Sequence, residues 1–174
     1  MFRCIAPHLR VDSVCELTLQ RLAQLGIDSL LLDVDCTLKR YRDEQVTAEV
    51  AGWLDSLRGG GVGLCLVSNG MGPRIERFAA RLDLPFIASA LKPLPRGCRW
   101  AVERMQFDPA RTAMVGDQLF ADIMAGRFAR LTAIYVRPIH PEEEPWFTRL
   151  KRRPERWMLR WMEKSTPPVG VNDC

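Results

Sequence analysis

Acidic, hydroxyl and amide residues stand at the ends of apolar runs in this 174-residue sequence. Asp33-Val34-Asp35-Cys36-Thr37 ends the first run, Ser68-Asn69 ends the second, and Gly116-Asp117 ends a later one. If these runs are parallel strands, their carboxyl ends form one crevice and the polar side chains converge there. Lys92 follows another apolar run and can join them.

The chemistry open to such a set is the transfer of a phosphoryl group. Three crowded carboxylates repel one another unless a cation lies among them, and oxygen ligands without histidine favour Mg²⁺ over zinc. Ser68, Asn69 and N–H groups at helix starts can hold phosphate oxygens, and the Lys92 ammonium adds positive charge. One of Asp33 and Asp35 would attack phosphorus, and the other would protonate the leaving oxygen and then activate water.

The elements that must position these residues follow from hydrophobic patterning. Five almost continuously apolar runs predict strands covered on both faces, at 29–33, 63–68, 86–89, 112–117 and 131–136. Helical patterns alternate with them, at 15–23, 46–57, 74–83, 95–106 and 119–129. This alternation predicts an α/β fold, a Rossmann-like three-layer α/β/α arrangement around a central, mostly parallel five-stranded sheet.

The spacing between the polar runs leaves no room for a large cap domain. Between Thr37 and Gly63 one helix fits, and between Asn69 and Lys92 one helix and one strand fit. An open crevice suits a bulky substrate whose own body closes the site, such as a lipid interface, a protein or a polynucleotide.

Four ordered motifs, each after a predicted strand, resemble those of the haloacid dehalogenase superfamily of phosphatases. They are Asp33-Val34-Asp35-Cys36-Thr37, Ser68-Asn69, Lys92-Pro93 and Gly116-Asp117-Gln118 with Asp122. The opening Pro7…Val11, Gly26-Ile27 and the block at 116–122 are similar to the small phosphatidylglycerophosphate phosphatase-like branch, which lacks a large cap. That resemblance implies hydrolysis of phosphatidylglycerophosphate to phosphatidylglycerol and phosphate, with Mg²⁺ as cofactor.

The resemblance also implies roles for individual residues. Asp33 is the nucleophile and Asp35 the general acid and base, while Asp122 is a supporting acid that holds Lys92 or metal-bound water. The implied phosphate-binding residues are Thr37, Ser68, Asn69 and Lys92. The implied metal ligands are Asp33, Asp117 and Asp35, the last through its backbone carbonyl.

Three positions depart from the pattern of that branch. Cys36 stands where Asn is usual, Gly70 where a second Asn is common, and Ala121 where Thr is common. All the charged positions are kept, so the departures bear on substrate fit and rate rather than on the type of reaction. Two other functions stay open: a capless phosphatase for a phosphoprotein or a polynucleotide end, and a catalytically weak phosphate-dependent binding module.

Positive charge is concentrated near the C-terminus. The formal net charge is +4, and residues 146–164 hold seven Lys or Arg against two Asp or Glu. In a helix one basic stripe would contain Arg149, Arg153, Arg156, Arg160 and Lys164, beside an apolar sector of Trp157, Met158, Trp161 and Met162. This pattern is typical of a helix on an anionic membrane surface. The apolar sector could instead pack on the sheet, or bind a partner protein or a second copy, and no nucleic-acid recognition motif is present.

Three segments are predicted along the chain. Residues 1–141 form the phosphatase domain, 142–164 a basic amphipathic helical segment, and 165–174 a flexible tail. No apolar run reaches the roughly 20 residues of a membrane-spanning helix, and none of the six cysteines forms a C-x-x-C pair. We therefore expect a cytoplasmic protein, with peripheral attachment to the inner face of the membrane.

Overall fold

A sheet of six parallel strands forms the centre of the protein. The computed structural model describes residues 6–143 and, near the C-terminus, residues 154–155, 157–159 and 161. The strands are β1 (Leu9–Val11), β2 (Ser29–Leu32), β3 (Gly63–Val67), β4 (Phe86–Ile87), β5 (Thr112–Gly116) and β6 (Thr132–Val136). Their order across the sheet is β1-β6-β5-β2-β3-β4, so β2 lies between β5 and β3.

Helices cover both faces of this sheet and complete the three layers. They are α1 (Leu19–Gln24), α2 (Ala48–Gly59), α3 (Gly72–Leu82), α4 (Arg96–Met105) and α5 (Met124–Phe128). All four residues of β2 are buried. Leu30 packs in the cluster that contains Trp53 of α2, whereas Leu31 packs in the cluster that contains Cys98 of α4. Since neighbouring side chains of a strand point to opposite faces, the predicted α/β fold is confirmed.

Helix α2 shows how sequence signals place these elements. The Thr47 side chain accepts a hydrogen bond from the N–H of Val50 and caps the helix start. Val50, Trp53 and Leu57 are buried at the predicted spacing. The helix ends before Gly60, where its backbone turns towards β3.

The sheet has one strand more than the sequence patterns predict. β1 pairs with β6 at the edge of the sheet, and its three residues, with Arg10 in the middle, are too few to show a period. The helix predicted over 15–23 is also two elements, a 3₁₀ turn (Val14–Glu16) followed by α1. Thr18 separates them because its side chain caps α1.

The described residues of the C-terminal segment pack against the domain. Met158 and Leu159 are buried in a cluster with Leu119, and the Glu155 carboxylate accepts a hydrogen bond of 2.8 Å from the N–H of Phe120. The segment is therefore attached beside the turn that follows β5.

The predicted apolar sector of this segment divides between the protein and the solvent. Met158 faces the protein, whereas Trp157 and Trp161 are 66% and 47% exposed. The predicted basic stripe (Arg149, Arg153, Arg156, Arg160 and Lys164) and Met162 lie outside the described residues, and the boundaries at 141 and 164 stay predictions. In the described part of the chain, no helix has the length and apolar character that crossing a membrane requires.

Candidate active site

The turn after β2 carries both acidic residues of the first motif. The N–H of Asp33 donates to the carbonyl of Val115 at 2.9 Å and continues the pairing with β5. The chain then reverses, and the N–H of Cys36 donates to the carbonyl of Lys39 at 2.8 Å. Cys36 has a φ of 61°, a left-handed conformation that Asn adopts more readily than most residues. This conformation gives a physical reason for the Asn that is usual at this position.

Lys92 places a buried ammonium at the centre of the site. Its Nζ lies 2.6 Å from Asp33 Oδ1 and 2.5 Å from Asp122 Oδ1, and it donates to the carbonyl of Val67 at 2.7 Å. The side chain is only 2% exposed. Two hydrogen bonds, to Asp33 and to the carbonyl of Val67, and the ion pair with Asp122 together fix the position of the ammonium.

The Asn69 amide holds the backbone of Lys92. Its Nδ2 donates to the carbonyl of Lys92 at 3.0 Å, and its Oδ1 accepts from the N–H of the same residue at 2.7 Å. Ser68 is buried, and its hydroxyl accepts from the N–H of Gly70 at 3.1 Å. The second motif therefore contacts the site through the loop that carries Lys92.

Three carboxylates gather beside this ammonium. Asp33, Asp117 and Asp122 each offer one oxygen, these oxygens lie within 4.8 Å of one another, and all three residues are buried. The Thr37 hydroxyl lies 3.3 Å from Asp33 Oδ2 and 3.2 Å from Asp117 Oδ1. The second oxygen of Asp122 accepts from the N–H of Gln118 at 3.0 Å.

Gly116 permits the close approach of Asp122 to the sheet. Asp122 belongs to a π-helical turn (Leu119–Ile123) that follows β5 and leads into α5. A Cβ at Gly116 would lie 2.4 Å from both Cβ and Cγ of Asp122. The last residue of β5 must therefore be glycine if Asp122 is to reach Lys92.

The donor set of this group fits a hard divalent cation. Three buried carboxylates face a single ammonium, which leaves an excess of negative charge, and the ligand atoms are all oxygen. The carboxylate of Asp35 lies outside the group, whereas Asp122 is within it.

Burial decides the direction of the pKa shift at Asp33, whereas neighbouring carboxylates decide it at Lys92. Burial raises the pKa of Asp33 to about 7; the Lys92 charge opposes this shift and the Asp122 charge adds to it. Burial alone would lower the pKa of Lys92, but Asp122 and Asp33 outweigh it and hold that pKa above its ordinary value. The ammonium is thus charged at any physiological pH.

Asp35 meets a different environment, although it is only two residues from Asp33. Its Oδ1 accepts from Lys39 Nζ at 2.8 Å and from Arg74 Nη1 at 2.9 Å, and Arg74 Nη2 contacts its Oδ2. Burial alone would raise the pKa of Asp35, but hydrogen bonds from Arg74 and Lys39 outweigh it and lower that pKa.

The contacts of Lys39 and Arg74 were not found by sequence reasoning. Lys39 stands four residues after Asp35, a spacing that indicates an ion pair only within a helix, and the chain here is a turn. Arg74 is separated from Asp35 by 39 residues. The one available signal was its place in the first turn of α3, directly after the second motif.

Comparisons with known proteins identify the family of the chain. The family model described as haloacid dehalogenase-like hydrolase matches residues 10–130, which include all the site residues above. The chain is 26% identical over 159 residues to a Bacillus subtilis (strain 168) protein named "Probable phosphatase YqeG", and the match covers 91% of this chain and 92% of that protein.

Solved structures share the fold. The cobalt-bound deoxy-D-mannose-octulosonate 8-phosphate phosphatase (YrbI) of Haemophilus influenzae has a TM-score of 0.53 and 17% identity, over 64% of this chain and 69% of that one. A hypothetical protein from Xanthomonas campestris has a TM-score of 0.54 and 14% identity, over 76% and 79% of the two chains. The family match over more than half of the chain shows that the protein belongs to the haloacid dehalogenase-like hydrolases.

Proposed function

We propose that this hydrolase is a phosphatase, which hydrolyses phosphomonoesters through an aspartyl-phosphate on Asp33, with Mg²⁺ as its cofactor. The observation that carries the proposal is the place of the Asp33 carboxylate. It lies 2.6 Å from the buried Lys92 ammonium and within a group of three buried carboxylates. A nucleophile in that position has a counter-charge for the phosphoryl oxygens and ligands for a cation beside it.

The reaction proceeds in two steps. In the first, an oxygen of Asp33 attacks phosphorus while the bond from phosphorus to the leaving oxygen breaks. Because hydrogen bonds from Arg74 and Lys39 outweigh burial and lower the pKa of Asp35, Asp35 takes a proton from the monoanionic phosphate ester as it binds and gives that proton to the leaving oxygen. In the second, the Asp35 carboxylate takes a proton from water, the water oxygen attacks phosphorus, and the Asp33 carboxylate leaves as inorganic phosphate forms. Lys92 stabilises the negative phosphoryl oxygens in both steps.

The remaining site residues bind the phosphate group, position Lys92 or hold the metal ion. Thr37 and Ser68 bind phosphate oxygens, Asp122 and Asn69 hold Lys92, and Mg²⁺ would be held by Asp33, Asp117 and the backbone carbonyl of Asp35. A bound Mg²⁺ would offset the negative charge shared by the carboxylates and the phosphate.

We further propose phosphatidylglycerophosphate as the substrate. Met71, Leu91 and Leu94 are 76%, 60% and 56% exposed. They lie on the two loops that carry the second motif and Lys92, and the N–H of Ser89 ties these loops by donating to the carbonyl of Gly70 at 3.0 Å. Exposed apolar side chains around an open site indicate an apolar partner, which the acyl part of a lipid supplies.

The C-terminal segment supports the same substrate. Trp157 and Trp161 are exposed on a segment that packs beside the turn carrying Asp122. Tryptophans next to basic residues suit an anionic membrane surface. We propose that the protein rests on the cytoplasmic face of such a membrane with this segment and the site loops in contact.

The test of the reaction is Mg²⁺-dependent phosphate release from phosphatidylglycerophosphate in mixed micelles, with an aryl phosphate in parallel. We expect release from both, and a loss of at least about a thousandfold in Asp33→Asn. Release from the aryl phosphate alone would overturn the lipid as substrate and favour a phosphoprotein or a polynucleotide end. No release from either would favour a binding module.

The exposed loops allow a test of the lipid contact. In Met71→Ser/Leu91→Ser/Leu94→Ser, we expect the ratio of activity on vesicle-embedded lipid to activity on an aryl phosphate to fall about tenfold. The control is Leu25→Ser, since Leu25 is 44% exposed and precedes the amino end of β2, whereas the site lies at the carboxyl ends of the strands. Equal ratios in the triple variant and the control would contradict the proposed contact.

A further inference from the structure

A cleft of about 330 Å³ opens beside Asp35, between α3 and the loop that follows β2. Its charged lining contains two acidic side chains, Asp43 and Glu44, and a larger number of basic ones. The basic side chains are Lys39, Arg42, Arg74, Arg77 and Arg81. Such an excess of positive charge attracts an anion.

Three of these arginines come from one face of α3. Arg74, Arg77 and Arg81 are spaced by three and four residues, as neighbours on a helix face are. Ile75 and Phe78, which are buried, attach the same helix to the core. The arginines are therefore held by a packed helix rather than by a loose loop.

The basic side chains of the cleft differ in how far their charge is already paired. Arg81 Nη2 lies 3.0 Å from a carboxylate oxygen of Glu44. Lys39 Nζ donates to Asp35 and to two backbone carbonyls. Arg42 and Arg77 are exposed and form no salt bridge with any residue that the structure describes. These two arginines carry charge that a ligand can use.

The position of Asp35 gives the cleft its role. If Asp35 protonates the leaving oxygen, the leaving alcohol lies next to it, and both Lys39 and Arg74 contact Asp35 while lining the cleft. We infer that the cleft binds a second anionic group on the leaving alcohol. The group is the phosphodiester of a phospholipid headgroup, which three carbon atoms separate from the reacting phosphate. This inference rests on the proposed function and extends it.

Arg74 lies where the cleft meets the reacting centre. Its guanidinium contacts both oxygens of Asp35, and a phosphodiester offers the same guanidinium a second bidentate acceptor. Arg42 and Arg77 supply further positive charge to the diester. Arg74 thus links the cleft to Asp35, whereas Arg42 and Arg77 determine selectivity.

Two water-soluble esters isolate the contribution of the cleft. Glycerol 3-phosphate lacks the phosphodiester, and the deacylated headgroup, glycerophosphoglycerophosphate, contains it. We expect kcat/KM to be higher for the deacylated headgroup. In Arg42→Gln/Arg77→Gln, the ratio of the two kcat/KM values should fall about tenfold, because two exposed ion pairs are lost and each contributes about a few-fold.

Matched variants separate a binding role from a structural one. Arg42→Lys/Arg77→Lys should restore part of the ratio, because lysine keeps the charge. Arg104→Gln removes an exposed arginine from the end of α4 and should leave the ratio unchanged. Calorimetry of Asp33→Asn with the deacylated headgroup gives a readout without turnover, and the double Gln substitution should weaken this affinity about tenfold as well.

The outcomes distinguish the cleft from the reaction. An unchanged ratio and an unchanged affinity in the double variant would overturn the proposed phosphodiester site in the cleft and leave the proposed reaction intact. Arginine-dependent binding without any turnover by the wild-type protein would support the anion site and overturn the reaction. A 5′-phosphorylated dinucleotide also has a phosphodiester three carbons from its phosphate. A stronger dependence on the arginines for that probe than for the headgroup would overturn the lipid.

Discussion

Two groups of charged side chains, one around Asp33 and one around Asp35, differ in solvent exposure and in the balance of positive and negative charge. The inner group consists of Asp33, Lys92, Asp117 and Asp122, and its Asp33, Lys92 and Asp122 side chains are 9%, 2% and 1% exposed. The outer group consists of Asp35, Lys39 and Arg74, whose side chains are 17%, 3% and 39% exposed, so two of its three members are more exposed than those of the inner group. Carboxylates outnumber cations in the inner group, and cations outnumber the carboxylate in the outer one.

This difference shifts the pKa values of two aspartates in opposite directions. Burial raises the pKa of Asp33 to about 7, whereas Arg74 and Lys39 outweigh burial and lower the pKa of Asp35. Environment rather than residue type therefore separates the pKa values of these two carboxylates. The three inner carboxylates share one ammonium, that of Lys92, and have room for a further cation. Asp35 already contacts two cations, Lys39 and Arg74.

Among changes to the outer group, the largest effect is expected when its carboxylate is removed. Asp35→Asn should lower kcat/KM for phosphatidylglycerophosphate by about 10²–10⁴-fold, because an alkoxide leaving group then departs without a proton. The loss in kcat/KM should be smaller for an aryl phosphate, whose leaving group needs no proton. Steady-state kinetics on both substrates measure this, with exposed Asp55→Asn on α2 as control. Equal losses on both substrates would remove Asp35 from the role of general acid.

A second prediction disturbs only the inner group. Gly116→Ala places a methyl group against Asp122, which should cost about 1–3 kcal/mol of unfolding free energy. Because displaced groups lose alignment, kcat/KM should fall about 10- to 100-fold. Gly52→Ala is the matched control, since a Cβ there meets nothing within 4 Å and alanine favours the helix. Similar behaviour of the two variants would mean that the contact of Gly116 with Asp122 is unimportant.

A third prediction uses the raised pKa of Asp33 in metal-free protein. Between the unfolded pKa of 3.8 and the folded pKa of about 7, the folded state holds a proton that the unfolded state releases. Stability should therefore fall as pH rises through this window, and Asp33→Asn should lack that part of the fall.

Thermal melts in EDTA test the third prediction. At pH 8 the melting temperature of Asp33→Asn should exceed that of the wild-type protein by a few degrees, and the difference should vanish near pH 4. Added Mg²⁺ should raise the wild-type melting temperature more than that of the variant. A wild-type protein that stays the more stable of the two at pH 8 in EDTA would contradict the pKa shift.

The smallest effect is expected from the outer cations. Arg74→Gln removes a hydrogen bond that favours the ionised form of Asp35, so the pKa of Asp35 should rise. Carbon-13 NMR titration of the Asp35 carboxyl in metal-free protein measures this, and Arg104→Gln serves as control. A pKa that stays constant in Arg74→Gln would show that Lys39 alone sets the charge of Asp35.

The strands that position the site could be predicted because they are buried apolar runs in the sequence. The site could then be predicted from the polar residues that follow these runs. In the sheet, Leu32 of β2 is paired with Leu66 of β3 and with Val115 of β5. The first residues beyond these strands therefore meet at one edge, as the apolar runs indicated. Asp33 and Asp117 could be named as site residues for this reason, and Lys92 because it follows the apolar run that contains β4.

Other features depend on contacts that no period in the sequence records. The pairing of Asp35 with Arg74 joins a turn to a helix face, and that helix face resembles an ordinary solvated one in sequence. β1 is an edge strand of three residues, and the turn that brings Asp122 to Lys92 is π-helical rather than α-helical. In each case tertiary packing decided the local structure.

The central claim, that Asp33 forms the covalent intermediate, can be tested most directly by trapping it. Borohydride reduces an aspartyl-phosphate to homoserine, and peptide sequencing by mass spectrometry locates the product. We predict homoserine at position 33 when the protein turns over phosphatidylglycerophosphate with Mg²⁺, and none in Asp33→Asn. Homoserine at position 35, or none at any position during turnover, would contradict the account.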